Sequence, residues 1–147
     1  MELQEQLLED MKAAMKSGDK ARVEALRMIR SQVKNAHIAK GEELTDDDVI
    51  GVLTKEAKKR KESIALYEEG GRDELAEAEK RELELIQSYM PEALTQDELD
   101  RMVREAIEES GAESLREMGK VMGLVMARVK GRADGRAVQE LVKKKLG

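Results

Sequence analysis

Tyr67 and Tyr89 are the only aromatic residues in this chain, and phenylalanine, tryptophan and cysteine are absent. Any core must therefore be aliphatic, with nine methionines to fill irregular gaps. One proline and abundant Ala, Glu, Lys, Leu and Arg, with 40% of residues charged, point to an all-α protein. The aromatic scarcity also bears on function. Single-stranded nucleic acid is usually held by stacking bases on aromatic rings, which this chain almost lacks, whereas a folded RNA read through its backbone and shape stays open to it.

At 147 residues, the chain can bury one ordinary core or two small ones. Helical periodicity predicts a first helix over residues 2–16, with Leu3, Leu7, Met11 and Met15 on one face. After the Ser17-Gly18-Asp19 break, a second over 20–40 buries Leu26, Ile29, Val33 and Ala36. Thr45 and the acids at 46–48 start a third, running to about residue 69, because carboxylates favour a helix N-terminus. Its apolar face holds Val49, Leu53, Ala57, Ile64 and Tyr67, with Arg60 in the middle. A buried arginine needs a carboxylate or carbonyls. A fourth helix over 73–89 turns Leu75, Leu83 and Ile86 inward. Short breaks make these about four helices antiparallel neighbours.

Tyr89-Met-Pro91 reads as a boundary, since Pro91 cannot continue a helix. The expected domains are residues 1–90 and 91–147. Thr95-Gln-Asp-Glu98 is a capping box that starts a fifth helix with Leu99, Met102, Val103, Ala106 and Ile107, ended by Gly111. Two further helices complete a small three-helix C-terminal module.

Charge reverses in that module. Residues 118–147 carry +6, which leaves −11 on residues 1–117. A basic end on an acidic stalk points to a polyanionic partner, although charges also simply cover solvated faces. Ser114-Leu-Arg-Glu117 reads as a second capping box, placing Leu115, Met118, Met122, Val125, Met126 and Val129 on one face. Gly119, Gly123 and Ala127 form a neighbouring strip of small residues, edged by Arg116, Lys120 and Lys130, with Leu124 exposed. Glycine inside a helix costs about 1 kcal/mol relative to alanine. Such a strip admits either a packed helix or a sugar-phosphate chain. Gly131 stops this helix and Asp134 caps the next, over 135–146, between Arg132 and Arg136. A helix start flanked by arginines suits phosphate.

Catalytic chemistry is not visible. There is no phosphate loop, zincin signature or nucleophile elbow, and no cysteine. His37 is the only histidine and reads as a helix-edge hydrogen-bonding group. The acids at 46–48 lack EF-hand spacing. No catalytic residue, metal or cofactor is expected. The acidic first residues do not resemble a signal or transit peptide, no segment could span a bilayer, and a cytoplasmic protein is expected.

The run from Leu26 to Ser31 with Lys34-Asn35, then Arg60-Lys61-Glu-Ser63, Gly71-Arg72-Asp-Glu-Leu75, Tyr89-Met-Pro91, Met118-Gly-Lys-Val-Met-Gly123 and Lys130-Gly-Arg-Ala-Asp134-Gly135 resembles the GatB/YqeY family over essentially the whole chain. The resemblance implies an all-α fold, a helical N-terminal part followed by a small helical C-terminal part. It also implies kinship with the tail of the B subunit of glutamine-dependent aspartyl/glutamyl-tRNA amidotransferase, which contacts tRNA by shape and carries none of the ATP or transamidation sites. The expectation is a non-catalytic tRNA-binding or tRNA-associated accessory protein, contacting RNA through Gly119, Lys120, Gly123, Lys130, Arg132 and Arg136. The alternatives are an adaptor that docks on a tRNA synthetase or amidotransferase and, last, a subunit in carbon–nitrogen ligation with glutamine as amido-N-donor.

Overall fold

The computed structural model describes residues 2–147. It is all-α, with no strand among the described residues, and it divides into two compact units, the first closing at Met90 and the second beginning at Pro91.

The first unit contains α1 (Leu3–Ser17), α2 (Lys20–Lys40), α3 (Asp46–Glu69) and α4 (Asp73–Gln87). Helices α1 and α2 form one hairpin and α3 and α4 another, with α2 and α1 both against α3. Turns Gly18 and Gly41 adopt left-handed φ of 76° and 78°, a conformation that glycine takes at little cost. Thr45 caps α3 in a full box, its hydroxyl taking the Asp48 amide while the Asp48 carboxylate takes the Thr45 amide. Asp46 reaches across to accept the Leu3 amide at 3.1 Å, capping α1, where Glu2 makes no side-chain cap. These acids are thus occupied by helix starts rather than arranged for a cation.

Leu7, Leu26, Ile29, Val33, Leu44, Val49, Leu53, Ala57, Ile86 and Tyr89 make the first core. Leu3, Met11, Ala36 and Leu83 pack partly buried against it, and two of the expected inward residues are exposed instead. Met15 is 52% exposed and Leu75 44% exposed, because Ala14 and Ala76, one position away, carry the close helix contacts. Tyr89 is buried and its hydroxyl donates to Asp10 at 2.5 Å. Burial, reinforced by that carboxylate, pushes its phenol well above the ordinary range. Arg60 lies between two hairpin partners. Its guanidinium sits 2.9 Å from Glu82 and 3.4 Å from Glu79 on α4, and 3.7 Å from Glu56 one turn back. Nε and the Glu79 Oε2 atom make no properly angled hydrogen bond, so these contacts are ionic proximity more than hydrogen bonding.

The second unit contains α5 (Gln96–Ser110), a 3-10 turn (Leu115–Glu117), α6 (Met118–Val129) and α7 (Gly135–Leu146). Helix α6 packs on both α5 and α7, which also touch each other. The Thr95–Glu98 capping box is complete. The box at Ser114 is not. The Ser114 side chain caps nothing, and Glu117 instead accepts the Glu113 amide at 2.7 Å, so the chain enters α6 through a 3-10 turn. A turn of three residues per revolution changes the phase of everything after it. The inward face of α6 is Val121, Val125 and Val129, each fully buried, while Leu115 and Met126 are exposed. Leu124 is half-buried against this core rather than exposed. With Leu99, Val103, Ala106, Val138 and Val142 the valines make a second core of small aliphatic side chains.

Candidate nucleic-acid interface

The α6–α7 turn is built by its backbone. Helix α6 ends at Val129, and Lys130 itself takes the left-handed conformation at φ 39°, with Gly131 following at 81°. The stop is therefore one residue earlier than the glycine that was expected to supply it. A lysine there is unusual, since β-carbon crowding disfavours positive φ. The turn is pinned to the start of the unit, where the Leu94 amide donates to the Arg132 carbonyl at 2.8 Å. Arg132 Nε donates to the Glu92 carbonyl at 2.9 Å. Asp134 then caps α7 by accepting the Arg136 amide at 3.0 Å. Its carboxylate occupies first-turn amides, so anion capture at this place falls to the arginine side chains.

Gly119 and Gly123 lie on the face of α6 opposite the buried valines and are exposed. A β-carbon at either position would meet nothing within 4 Å. No helix of the second unit packs on the strip, which is open to an approaching chain. Lys120 Nζ donates to the Ser110 carbonyl at 2.9 Å. About ten residues of helix, roughly 15 Å of rise, separate Lys120 from the turn. The expected residues thus form two patches at opposite ends of α6: Gly119, Lys120 and Gly123 near its start, and Lys130, Arg132 and Arg136 at its end.

The basic end is also partly neutralised. The +6 on residues 118–147 is matched by −6 on residues 91–117. Two of the basic residues pair with α5 acids, Arg128 with Glu109 and Lys145 with Asp100. The Lys145 ammonium holds the Asp100 carboxyl below its usual range. Arg132 and Arg136 make no carboxylate ion pair among the described residues. Arg132 adds a small electrostatic pull on Glu98, whose carboxyl is lowered mainly by the Thr95 amide and hydroxyl. The unit thus carries three cations at the α6–α7 turn, Lys130, Arg132 and Arg136, and three more in the last turn of α7, Lys143, Lys144 and Lys145.

The first unit holds a second set of cations. Arg27, Arg30, Lys34 and His37 follow i, i+3, i+7, i+10 spacing, which places them on one strip of α2. They line a groove of about 510 Å³ with Gln4, Leu7 and Met11 of α1. The spacing is legible in the sequence, but a basic strip on a helix is ordinarily a solvated face, and only the hairpin makes it concave. His37 is exposed at this groove, without the side-chain hydrogen bond expected of it. Among the described residues no group of three or more His, Cys, Asp or Glu is arranged to hold a metal, and no helix is long and apolar enough to cross a membrane.

The relatives of this chain carry few functional words. Similar proteins include "Altered inheritance of mitochondria protein 41, mitochondrial" of Pyrenophora tritici-repentis, 32% identical over 101 residues, covering 67% of this chain and 56% of that protein. The protein of the same name from Vanderwaltozyma polyspora is 35% identical over 85 residues, 57% of this chain and 46% of its own length. That from Candida glabrata is 36% identical over 88 residues, 58% and 48%. The chain spans about half the length of these curated relatives. The profile of the YqeY-like proteins matches residues 4–146, nearly the whole of both units, and this chain belongs to the YqeY family.

Proposed function

We propose that this protein is a non-catalytic accessory factor that binds folded tRNA by its backbone, through the second unit. The observation that carries the reading is the α6–α7 turn, where Arg132 and Arg136 stand without carboxylate partners in a turn fixed by main-chain hydrogen bonds. A carbonyl holds a guanidinium in place and leaves its charge available, whereas a carboxylate would neutralise it. The exposed glycine strip supports the same reading by letting a sugar-phosphate chain approach the α6 backbone. In this reading the protein works in the cytoplasm, although its fungal relatives carry mitochondrial names.

The test is salt-dependent binding of total tRNA. If a few Lys and Arg side chains neutralise phosphates, log affinity falls with log salt by roughly 0.7–0.9 per phosphate. The double substitution Lys130→Ala/Arg132→Ala makes that slope shallower while the helix content stays unchanged. No measurable tRNA affinity at low salt, or an unchanged slope in the double variant, removes the RNA reading. The adaptor reading then leads, because the open strip of Gly119, Gly123 and Ala127 also suits a docked helix of a synthetase or amidotransferase. Its mark is loss of partner binding in Gly123→Leu, with the charge variant altering chiefly the association rate.

A further inference from the structure

We propose that the groove between α1 and α2 is a binding site for a small phosphate-bearing ligand of the nucleoside mono- or diphosphate class. This goes beyond the RNA reading and concerns the other unit, so either can fail alone. The groove is lined by Arg27, Arg30 and Lys34, with no acidic residue in its wall. None of the three makes an ion pair among the described residues. Arg30 is half-buried and its guanidinium leans on the Met11 thioether, Nη1 to Sδ 3.8 Å, which fixes where its remaining donors point. Three cations without counter-charges call for an anion carrying more than one negative charge. A phosphate or pyrophosphate group meets that demand and accepts the forked donors of arginine, while a single carboxylate would leave cations unmatched.

The rest of the wall indicates what is attached to the phosphate. Leu7, Met11 and Val33 give an apolar floor, and Ser31 adds a hydroxyl at the rim. The wall is mainly polar, and a groove of several hundred cubic ångströms in which cations converge over a small apolar floor has room for a nucleotide-sized ligand. A long polyanion fits worse. Residues 1–90 carry −5 overall with the groove's cations included, and the exposed faces of α1 and α2 beyond the groove present Glu5, Glu9 and Glu24. An RNA strand leaving the groove would run along those carboxylates.

The experiment is an amide-resolved NMR titration of the full chain at low salt with inorganic pyrophosphate and with ADP. Saturable shifts confined to α1 and α2 are expected from both, with ADP tighter because its base and ribose reach the apolar floor. Arg27→Gln/Lys34→Gln, both at exposed positions, weakens binding by roughly a hundredfold, since each charge-assisted hydrogen bond lost is worth about tenfold. Ser31→Asp, also exposed, puts a carboxylate into the rim and abolishes binding without touching a cation. The proposal is overturned if neither ligand produces saturable shifts, or if both variants bind like the parent. It is also overturned if a short single-stranded RNA binds these same amides more tightly than ADP, which would make the groove a polyanion track. Loss of the groove leaves the Lys130/Arg132 salt slope unchanged, so the two results are separable.

Discussion

The two units hold their critical arginines in opposite ways. In the first, Arg60 is surrounded by the carboxylates of Glu56, Glu79 and Glu82, and only 11% of its side chain is exposed. In the second, Arg132 is held by the Glu92 carbonyl, with its own carbonyl taking the Leu94 amide. The first arrangement converts charge into a cross-helix tie. The second fixes a side chain without a carboxylate to neutralise it. Two arginines of equal formal charge are thus held in electrostatically different ways, and what decides is whether the acceptor is ionised.

The largest expected effect breaks the first arrangement. Arg60→Met leaves three carboxylates crowded at the α3–α4 contact, among them Glu56, which is buried, with only Lys59, 3.4 Å from Glu56, as a counter-charge. Removing one partner of a buried ionic cluster costs about 3–5 kcal/mol. Urea unfolding should show that loss, and restoring neutrality with Glu79→Gln/Glu82→Gln in the same chain should recover part of it. Arg132→Met should change stability far less, because a half-buried side chain bonded to one carbonyl strands no carboxylate when removed. Equal losses from the two substitutions would end the distinction drawn here.

A second measurement probes how the units close their cores. Tyr89 is the one buried aromatic residue, and it ties the end of α4 to Asp10 on α1. Tyr89→Phe keeps the ring and strands the carboxylate's partner bond, with an expected cost of about 1.5–3 kcal/mol for a hydrogen bond to a charged group. The second unit has no counterpart, since its core is made of Val, Leu and Ala, and its unfolding limb should be untouched. If the units unfold together, the change appears as one shifted transition instead.

These residues also show what the sequence could and could not disclose. Helices α1 to α5 were legible because apolar spacing agrees with a cap residue at one end or the other, an N-cap at Thr45 and Thr95 and a glycine stop at Gly18, Gly41 and Gly111. The need of Arg60 for acids was legible too, from its place on an apolar face. Glu79 and Glu82 were not, because the register between α3 and α4 is set by packing along the hairpin. The inward face of α6 was ambiguous for a simpler reason. Seven of its twelve residues are large and apolar, so several phases satisfy the periodicity, and the 3-10 turn before it selected the valine one. Likewise, the candidate site's cations were readable as residues, but not their division into two patches or the concavity that gathers Arg27, Arg30 and Lys34.

The exposed glycines allow a change of the opposite sign. Gly119→Ala and Gly123→Ala should each raise the stability of the second unit by about 1 kcal/mol, the usual difference in helix propensity, because a β-carbon there meets nothing within 4 Å. Denaturant midpoints provide the check, and a loss of stability would mean that the strip is covered in the free protein. The same change on α3 at Gly51, where the space is also open, is a control without any expected role in binding. If the strip serves close approach, larger side chains at Gly123 weaken the partner while their counterparts at Gly51 do not.

The smallest expected effect lies in the two capping boxes, one in each unit. The Asp48 carboxyl is lowered from 3.8 to about 2, first by its hydrogen bond from Lys40 at 2.6 Å and then by the Thr45 amide. The Glu98 carboxyl is lowered by the Thr95 amide and hydroxyl, without a lysine at hand. A carboxyl whose folded pKa lies below its unfolded one contributes stability at pH values above the unfolded pKa, and that contribution disappears as pH falls through the folded one. For Asp48 the window therefore runs from about pH 4 down to about pH 2. Asp48→Asn keeps an acceptor for the Thr45 amide but cannot titrate, so the melting temperature of the variant should fall less steeply across that window than the parent's. Glu98→Gln should flatten the acid limb less, since Glu98 has no ammonium partner to lose. Both groups are open to solvent, which keeps the two effects small and makes them weaker still at high salt. A parent and an Asp48→Asn variant with parallel acid limbs would show that Asp48 gains nothing in solution from either Lys40 or the Thr45 amide.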